Sequence, residues 1–364
     1  ERWISAMPQH APALEAQMSV LDASGDHDAA EDVARRIIEL EPGRASGEQR
    51  LVEGLLQRDP AAAIARAGEL ASKADDPDKQ HSLRSWQAFV CDRAGHYAEA
   101  VAGWTALAHA MAPSRLPLWS RTEAPVAWPP RAVQPDGPAV RPFLVWGPPG
   151  TVVESLAGVL GYITDEIRGD RYLPQPPNDG FQNYRTAEAL STGELSADAF
   201  LRGWRDALPA RGVQDGRVID WLLLWDNAFL TALRPQLPQG CLLLAVRDPR
   251  DAFLDWLAFG APAPLALDDL QHGAAWLAGL FDQMADLHEE DLYAHRLIRM
   301  DDIKDDAGAV SAALGAALEV QLPVPPSSGA RRFPAGHWRH YAEVLAGPFA
   351  ALTPVAVRLG YPET

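Results

Sequence analysis

The sequence predicts a two-part molecule: an all-helical domain over residues 1–115, then a three-layer α/β domain with a parallel sheet over residues 141–364. Three observations carry this reading. Over residues 1–112 apolar side chains recur at three- and four-residue spacing, Ala is abundant, and strand patterns are missing. Seven prolines between Pro113 and Pro138 then break any helix, so residues 116–140 read as an extended linker. Beyond it, short apolar runs bounded by Gly and Pro alternate with helical stretches, which is the pattern of a parallel sheet covered by helices on both faces.

The helical part comes first. Gly25 is followed by an Ala-rich stretch that ends at Pro42, and Gly95 by a similar one with Pro113 just beyond, a separation of 70 residues between the glycines. Gly permits the tight turn between two helices, Ala at the crossing lets them approach, and Pro closes the second helix. Seventy residues is two periods of about 35, and the stretch around Asp59-Pro60 fits that period poorly. On these residues the region resembles the tetratricopeptide repeat family over about two and a half units. That resemblance implies a protein or peptide partner bound by the helices. An unrelated Ala-rich bundle is the other reading of the same pattern.

Composition bounds the partners and the compartment. With 49 acidic and 32 basic residues the 364-residue chain carries a formal charge of −17, which argues against nucleic acid or an anionic membrane as partner. No apolar run approaches the roughly 18 residues of a membrane span. Cys91 and Cys241 lie in apolar surroundings and read as free thiols in a reducing, cytoplasmic setting. The chain opens ERWISAMPQH, without an initiator Met or a signal peptide, and reads as part of a longer one. Only Lys73, Lys79 and Lys304 are lysines, so any chemistry that needs one must find it among these three.

The α/β part opens on strand Pro142-Phe-Leu-Val-Trp146, turn Gly147-Pro-Pro-Gly150-Thr151 and a helical stretch, an order suited to cradling a phosphate on backbone N–H groups. It is P-loop-like only in outline, because the GK[ST] ending is absent and two prolines remove donors. A plain strand-to-helix turn would read the same way. A second strand, residues 241–246, runs into Arg247-Asp-Pro-Arg-Asp251, and a third is expected near 296–300. Ligands in such sheets bind at the carboxyl ends of the strands, where Gly150 and Arg247 both fall. An Arg there needs a counter-charge, either an anionic ligand or a neighbour such as Asp248 or Asp251. Arg331 and Arg332, set by Pro334 and Gly336 before Trp338, form either an anion clamp or a solvated basic loop.

Together these segments resemble the sulfotransferases that use 3′-phosphoadenosine 5′-phosphosulfate (PAPS), in the bacterial form fused to tetratricopeptide repeats. The resemblance spans about residues 141–364. The family's PKSGT or PRSGT loop is matched at its end by Gly150 and Thr151. Its RDPRD…S segment is matched by Arg247 to Asp251, with Asp255 in the serine slot. Its RKGxxGxWK loop is matched by Arg331, Arg332, Gly336, Trp338 and Arg339, with Phe333 replacing the first glycine. Met300-Asp-Asp-Ile is similar to the family's YEDL strand end, and Leu359-Gly-Tyr361 to its final turn. The resemblance implies that Gly150 and Thr151 meet the 5′ end of PAPS or of its product 3′-phosphoadenosine 5′-phosphate. It further implies that Arg247, Asp255, Arg331, Arg332 and Gly336 lie around the 3′-phosphate.

The departures fall where the chemistry belongs. Pro148 or Pro149 replaces the basic residue of the first loop, and Trp221 replaces the lysine of an Asp-Lys pair that precedes the RDP strand in repeat-fused members. Asp255 would set a carboxylate beside a phosphate. Glu154 and Asp220 are the candidate general bases, although Glu154 also suits a helix surface near its N-terminus and Asp220 a helix N-cap. His337 and His340 lack the further ligands that a metal needs. The expected function is sulfuryl transfer from PAPS to a hydroxyl or amine. The alternatives are a catalytically inactive sulfotransferase-fold scaffold that recruits a partner through its repeats, and another nucleotide-using activity.

Overall fold

The structure, a computed structural model, describes residues 9–133, 142–214, 217–326 and 332–364. It divides into two compact units, one ending at Leu107 and the other beginning at Ala108.

Among the described residues the first unit has six helices: α1 (Ala11–Ser24), α2 (His27–Leu40), α3 (Ala45–Arg58), α4 (Pro60–Ser72), α5 (Pro77–Arg93) and α6 (Tyr97–Met111). They form three hairpins that begin at Ala11, Ala45 and Pro77, steps of 34 and 32 residues. Gly25 and Gly95 both take a left-handed conformation, φ 80° and 78°. Each turn closes with the same long bond, Asp26 N–H to Leu21 O (3.0 Å) and His96 N–H to Cys91 O (2.8 Å). The middle hairpin has no glycine at its turn. There Asp59 caps α4 by accepting from Ala62 N–H at 3.0 Å, and Pro60 opens the helix, which is why its sequence fits the period poorly. Small residues set the approach of the helices: a Cβ at Gly47 would stand 3.1 Å from Ala34 O, and one at Gly103 3.0 Å from Ala88 Cβ.

The second unit carries a five-stranded parallel sheet: β1 (Phe143–Trp146), β2 (Ile167–Arg168), β3 (Ile219–Trp221), β4 (Cys241–Val246) and β5 (His295–Arg299), in the order β2-β3-β1-β4-β5. The three long strands fall where the apolar runs place them. β2 and β3 went unread, because two and three residues are too few for a periodic signal. The connecting helices are α7 (Val153–Ile163), α8 (Thr186–Thr192), α9 (Ala197–Ala207), α10 (Asn227–Gln236), α11 (Pro249–Phe259), α12 (Leu270–Glu289), α13 (Ala307–Leu318) and α14 (Ala346–Arg358).

Alternation along the strands sorts the two faces. Val145, Leu243, Ala245 and Ile298 pack with Val153, Leu156 and Leu160 of α7 and with Val310 and Leu314 of α13. On the opposite face Trp146 meets Trp225, which in turn meets Phe229 of α10. The chain leaves β1 toward β2 and β3, and later reaches β4 on the other side. The order therefore reverses between β1 and β4, where an open α/β sheet forms its crevice.

The stretch expected as a linker is extended, but residues 116–133 are a strap tied to the α/β unit. Leu116 N–H bonds Pro264 O, and Ala266 N–H bonds Leu116 O, both at 2.8 Å. Trp119 is buried edge-to-face on Trp276, whose Nε1–H donates to Trp119 O at 2.9 Å. Asp226 and Asn227 hold Thr122, and Arg234 donates to Pro129 O at 2.7 Å. The remaining expected linker residues, 134–140, lie outside the described residues. Truncating a buried aromatic of this size costs about 3–5 kcal/mol. Trp119→Ala should therefore destabilise the chain by that order in urea unfolding, and should speed proteolysis within residues 115–133. Unchanged cleavage would mean that the strap is held elsewhere.

Candidate functional site

The crevice between β1 and β4 is bounded by the loop Gly147–Val152, by α11, and by the segment that begins at Arg332. The loop is curled on itself. Thr151 is fully buried, and both its Oγ1 (2.7 Å) and its backbone N–H (3.2 Å) donate to Pro148 O. Pro148 and Pro149 carry no N–H, so the donors that would cradle a phosphate are largely absent or spent. Gly150 has φ 77°, and a Cβ there would stand 1.8 Å from Ala252 O, so the loop lies directly on the first turns of α11. Only glycine tolerates both conditions.

Arg247 leaves the end of β4 with no exposed surface. Its Nη1 is paired with Asp255, one face of α11 on, and lies 3.4 Å from Gly150 O; its Nη2 donates to Phe333 O at 2.8 Å. Asp255 in turn accepts from Phe333 N–H at 3.3 Å. Arginine, carboxylate and the Phe333 backbone thus close a ring. Burial pushes the Asp255 carboxyl up to about 6, against the opposing pull of Arg247. Arg332 is taken as well. Its Nη2 donates to Glu154 Oε1 at 2.7 Å, and its guanidinium stacks 4.8 Å from the Phe259 ring. Arg331 lies outside the described residues. Gly336, φ 78°, gives its N–H to Asp251 at 2.5 Å, and Trp338 N–H does the same at 2.9 Å.

The structure gathers Gly150, Thr151, Glu154, Arg247, Asp255 and Arg332 into one neighbourhood. It also pairs every one of those charges within the chain. Beside β1, the space among Trp119, Trp146, Pro149, Tyr172, Leu223 and Trp276 amounts to only about 20 Å³, room for a single water. Among the described residues no group of three or more His, Cys, Asp or Glu is placed to hold a metal ion, and no helix is long and apolar enough to cross a membrane.

Asp220 belongs elsewhere. It lies within β3 rather than at a helix start, and it is fully buried on the face that receives Trp204. Arg171 donates to both its oxygens at 3.0 and 2.8 Å, and Arg211 to both at 2.8 and 2.9 Å. Burial raises such a carboxyl, but the hydrogen bonds and charge of Arg211 and Arg171 outweigh it and hold Asp220 well below the usual carboxylate range. A carboxylate so held is a poor proton acceptor, which counts against a general base at Asp220. Asp179 and Asp170 complete the group, the former bidentate to Arg171 at 2.7 and 2.9 Å. Sequence reasoning missed this cluster: Arg171, Asp179, Arg211 and Asp220 come from four separate segments with no shared motif. It also missed Arg250, fully buried 3.7 Å over the Trp338 ring and bonded to Asp248, Pro362 O and Glu363 O.

Two outcomes test this geometry. Removing one member of a buried pair costs about 3–5 kcal/mol, so Asp220→Ala should lose that order of stability in denaturant unfolding, whereas loss of a merely solvated carboxylate would leave stability unchanged. The folded pKa of Asp255, about 6 against an ordinary 3.8, means that the folded chain binds this proton the more tightly. Its contribution to stability is then greatest in acid and declines as pH rises through that window. Carboxyl-carbon NMR of Asp255 should show a midpoint near 6, and a midpoint below the ordinary value would mean that the charge of Arg247 outweighs burial.

No protein-family model matches the chain, and neither a curated protein nor a solved structure is detectably similar to it.

Proposed function

We propose that the chain is a non-catalytic binding protein on a sulfotransferase-type α/β unit, with the helical unit recruiting a partner. One observation carries this reading: the fully buried Arg247 already holds a carboxylate, Asp255, in the slot where the resemblance expects a serine beside a phosphate. Around it the loop offers few donors and Arg332 is committed to Glu154. A phosphate entering here would have to displace Asp255 and would meet its negative charge. Sulfuryl transfer also needs positive charge at the leaving phosphate oxygen, typically worth about 3–4 kcal/mol. Pro148, Pro149 and Trp221 supply none.

Sulfuryl transfer from PAPS is the second reading, favoured by the convergence of Arg247, Arg332 and the Gly147–Val152 loop at the strand-end crevice. Calorimetry with 3′-phosphoadenosine 5′-phosphate separates the two. The unmodified chain should give no saturable heat, and Asp255→Ser, which frees Arg247, should gain binding. Saturable binding by the unmodified chain, together with transfer of labelled sulfate from PAPS that Arg247→Ala abolishes, would overturn the proposal in favour of the enzyme.

A further inference from the structure

An apolar concavity of the helical unit lies away from its hairpin turns at Gly25 and Gly95. The C-terminal ends of α2 and α4 and the N-terminal ends of α3 and α5 come together around a groove of about 630 Å³. That is the size of a small-molecule site. Its apolar lining is Ile38, Leu70, Leu83 and Trp86, all half-buried.

Charge around the groove runs against that of the chain. In a protein of net charge −17 with three lysines, two of them, Lys73 and Lys79, line this one groove. Arg66 is spent on the buried Glu48 at 2.7 Å, and Lys73 on Glu69 at 2.6 Å. Lys79 has no ion pair among the described residues and is exposed at the rim. The start of α5 is already capped by Asp76, which accepts from Lys79 N–H at 2.7 Å, and Asp78 shares its first turn; neither lines the groove, so the attraction for an anion there rests on the Lys79 ammonium. The start of α3, also at the groove, has no side-chain cap. A cation without an ion pair and one uncapped helix start beside an apolar floor form a site with one charged end and one greasy body.

We infer that this groove binds a small amphiphilic organic anion, its apolar body over Ile38, Leu70, Leu83 and Trp86 and its carboxylate or sulfonate at Lys79. This assignment is independent of the reading of the α/β unit, because none of its residues belongs to that unit.

The test uses the full chain and 8-anilinonaphthalene-1-sulfonate, an aromatic body with one sulfonate. Its fluorescence should rise and saturate, and decanoate should displace it at a concentration at least about ten-fold below that needed for uncharged decanol. Lys79→Glu should weaken probe binding by about ten-fold or more while the fold is retained, since an acidic residue is favoured in a first helical turn. Arg84→Glu, an equal charge change at an exposed position of α5 that does not line the groove, should leave it within about two-fold. Leu83→Asp, in the floor, should abolish binding with helicity preserved by circular dichroism. The inference is overturned if no saturable binding occurs, if decanol competes as well as decanoate, or if Lys79→Glu binds like the unmodified chain.

Discussion

A guanidinium with no exposed surface cannot stand without a counter-charge, and the placement of Arg247 makes that requirement the organising constraint of the α/β unit. The side chain leaves the end of β4 at the point where the strand order reverses. It could be neutralised there by a ligand or by the chain. The chain does it, through Asp255 on α11, and the arginine also meets the backbone oxygens of Phe333 and Gly150, while its buried Nε–H has no hydrogen-bond partner. Three segments distant in sequence are thereby tied to one charge. The glycine at position 150 follows from the same closeness, since any Cβ would collide with α11.

The same rule is applied twice more. Asp220, in the middle of the sheet, is surrounded by Arg171 and Arg211 and receives Trp204 Nε1 at 2.9 Å. Arg250 is closed off by Asp248 and by the carbonyls of Pro362 and Glu363, which brings the C-terminal residues onto α11. Buried ions satisfied in this way contribute little net stability compared with apolar packing, but breaking one is costly, so each fixes a particular arrangement of loops. In the α/β unit the charges of Arg247, Asp220 and Arg250 are thus consumed as architecture. Lys79, at the apolar groove of the helical unit, has no ion pair among the described residues, and that contrast with Arg247 is why ligand binding is proposed at the groove rather than at the crevice.

Much of the fold was legible because its signals are local. Helical periodicity, the glycines at 25 and 95, and the apolar runs before Gly147 and Arg247 each act over a few residues, and the corresponding helices, turns and strands are where they point. Asp248 caps α11 and Pro249 opens it for the same local reason. Charge partnership is a different matter. An acidic residue at position 255 is visible in the sequence, but whether it repels a ligand or neutralises an arginine depends on side-chain direction, which only the packed helix decides. Asp220 suits a helix start in the sequence because β3 is too short to show itself, whereas it is a strand residue. The prolines of the segment after residue 113 exclude a long helix locally, while its attachment through Trp119 and Thr122 rests on contacts with residues more than a hundred positions away.

The central claim, that Arg247 and Asp255 neutralise each other, is tested most directly by a double-mutant cycle on folding stability with Arg247→Met and Asp255→Leu. The account predicts that either single substitution, by stranding a buried charge, costs about 3–5 kcal/mol, and that the double variant recovers most of the loss. Additive single effects, or an Arg247→Met variant as stable as the unmodified chain, would contradict it and return Arg247 to the role of a site awaiting an anion.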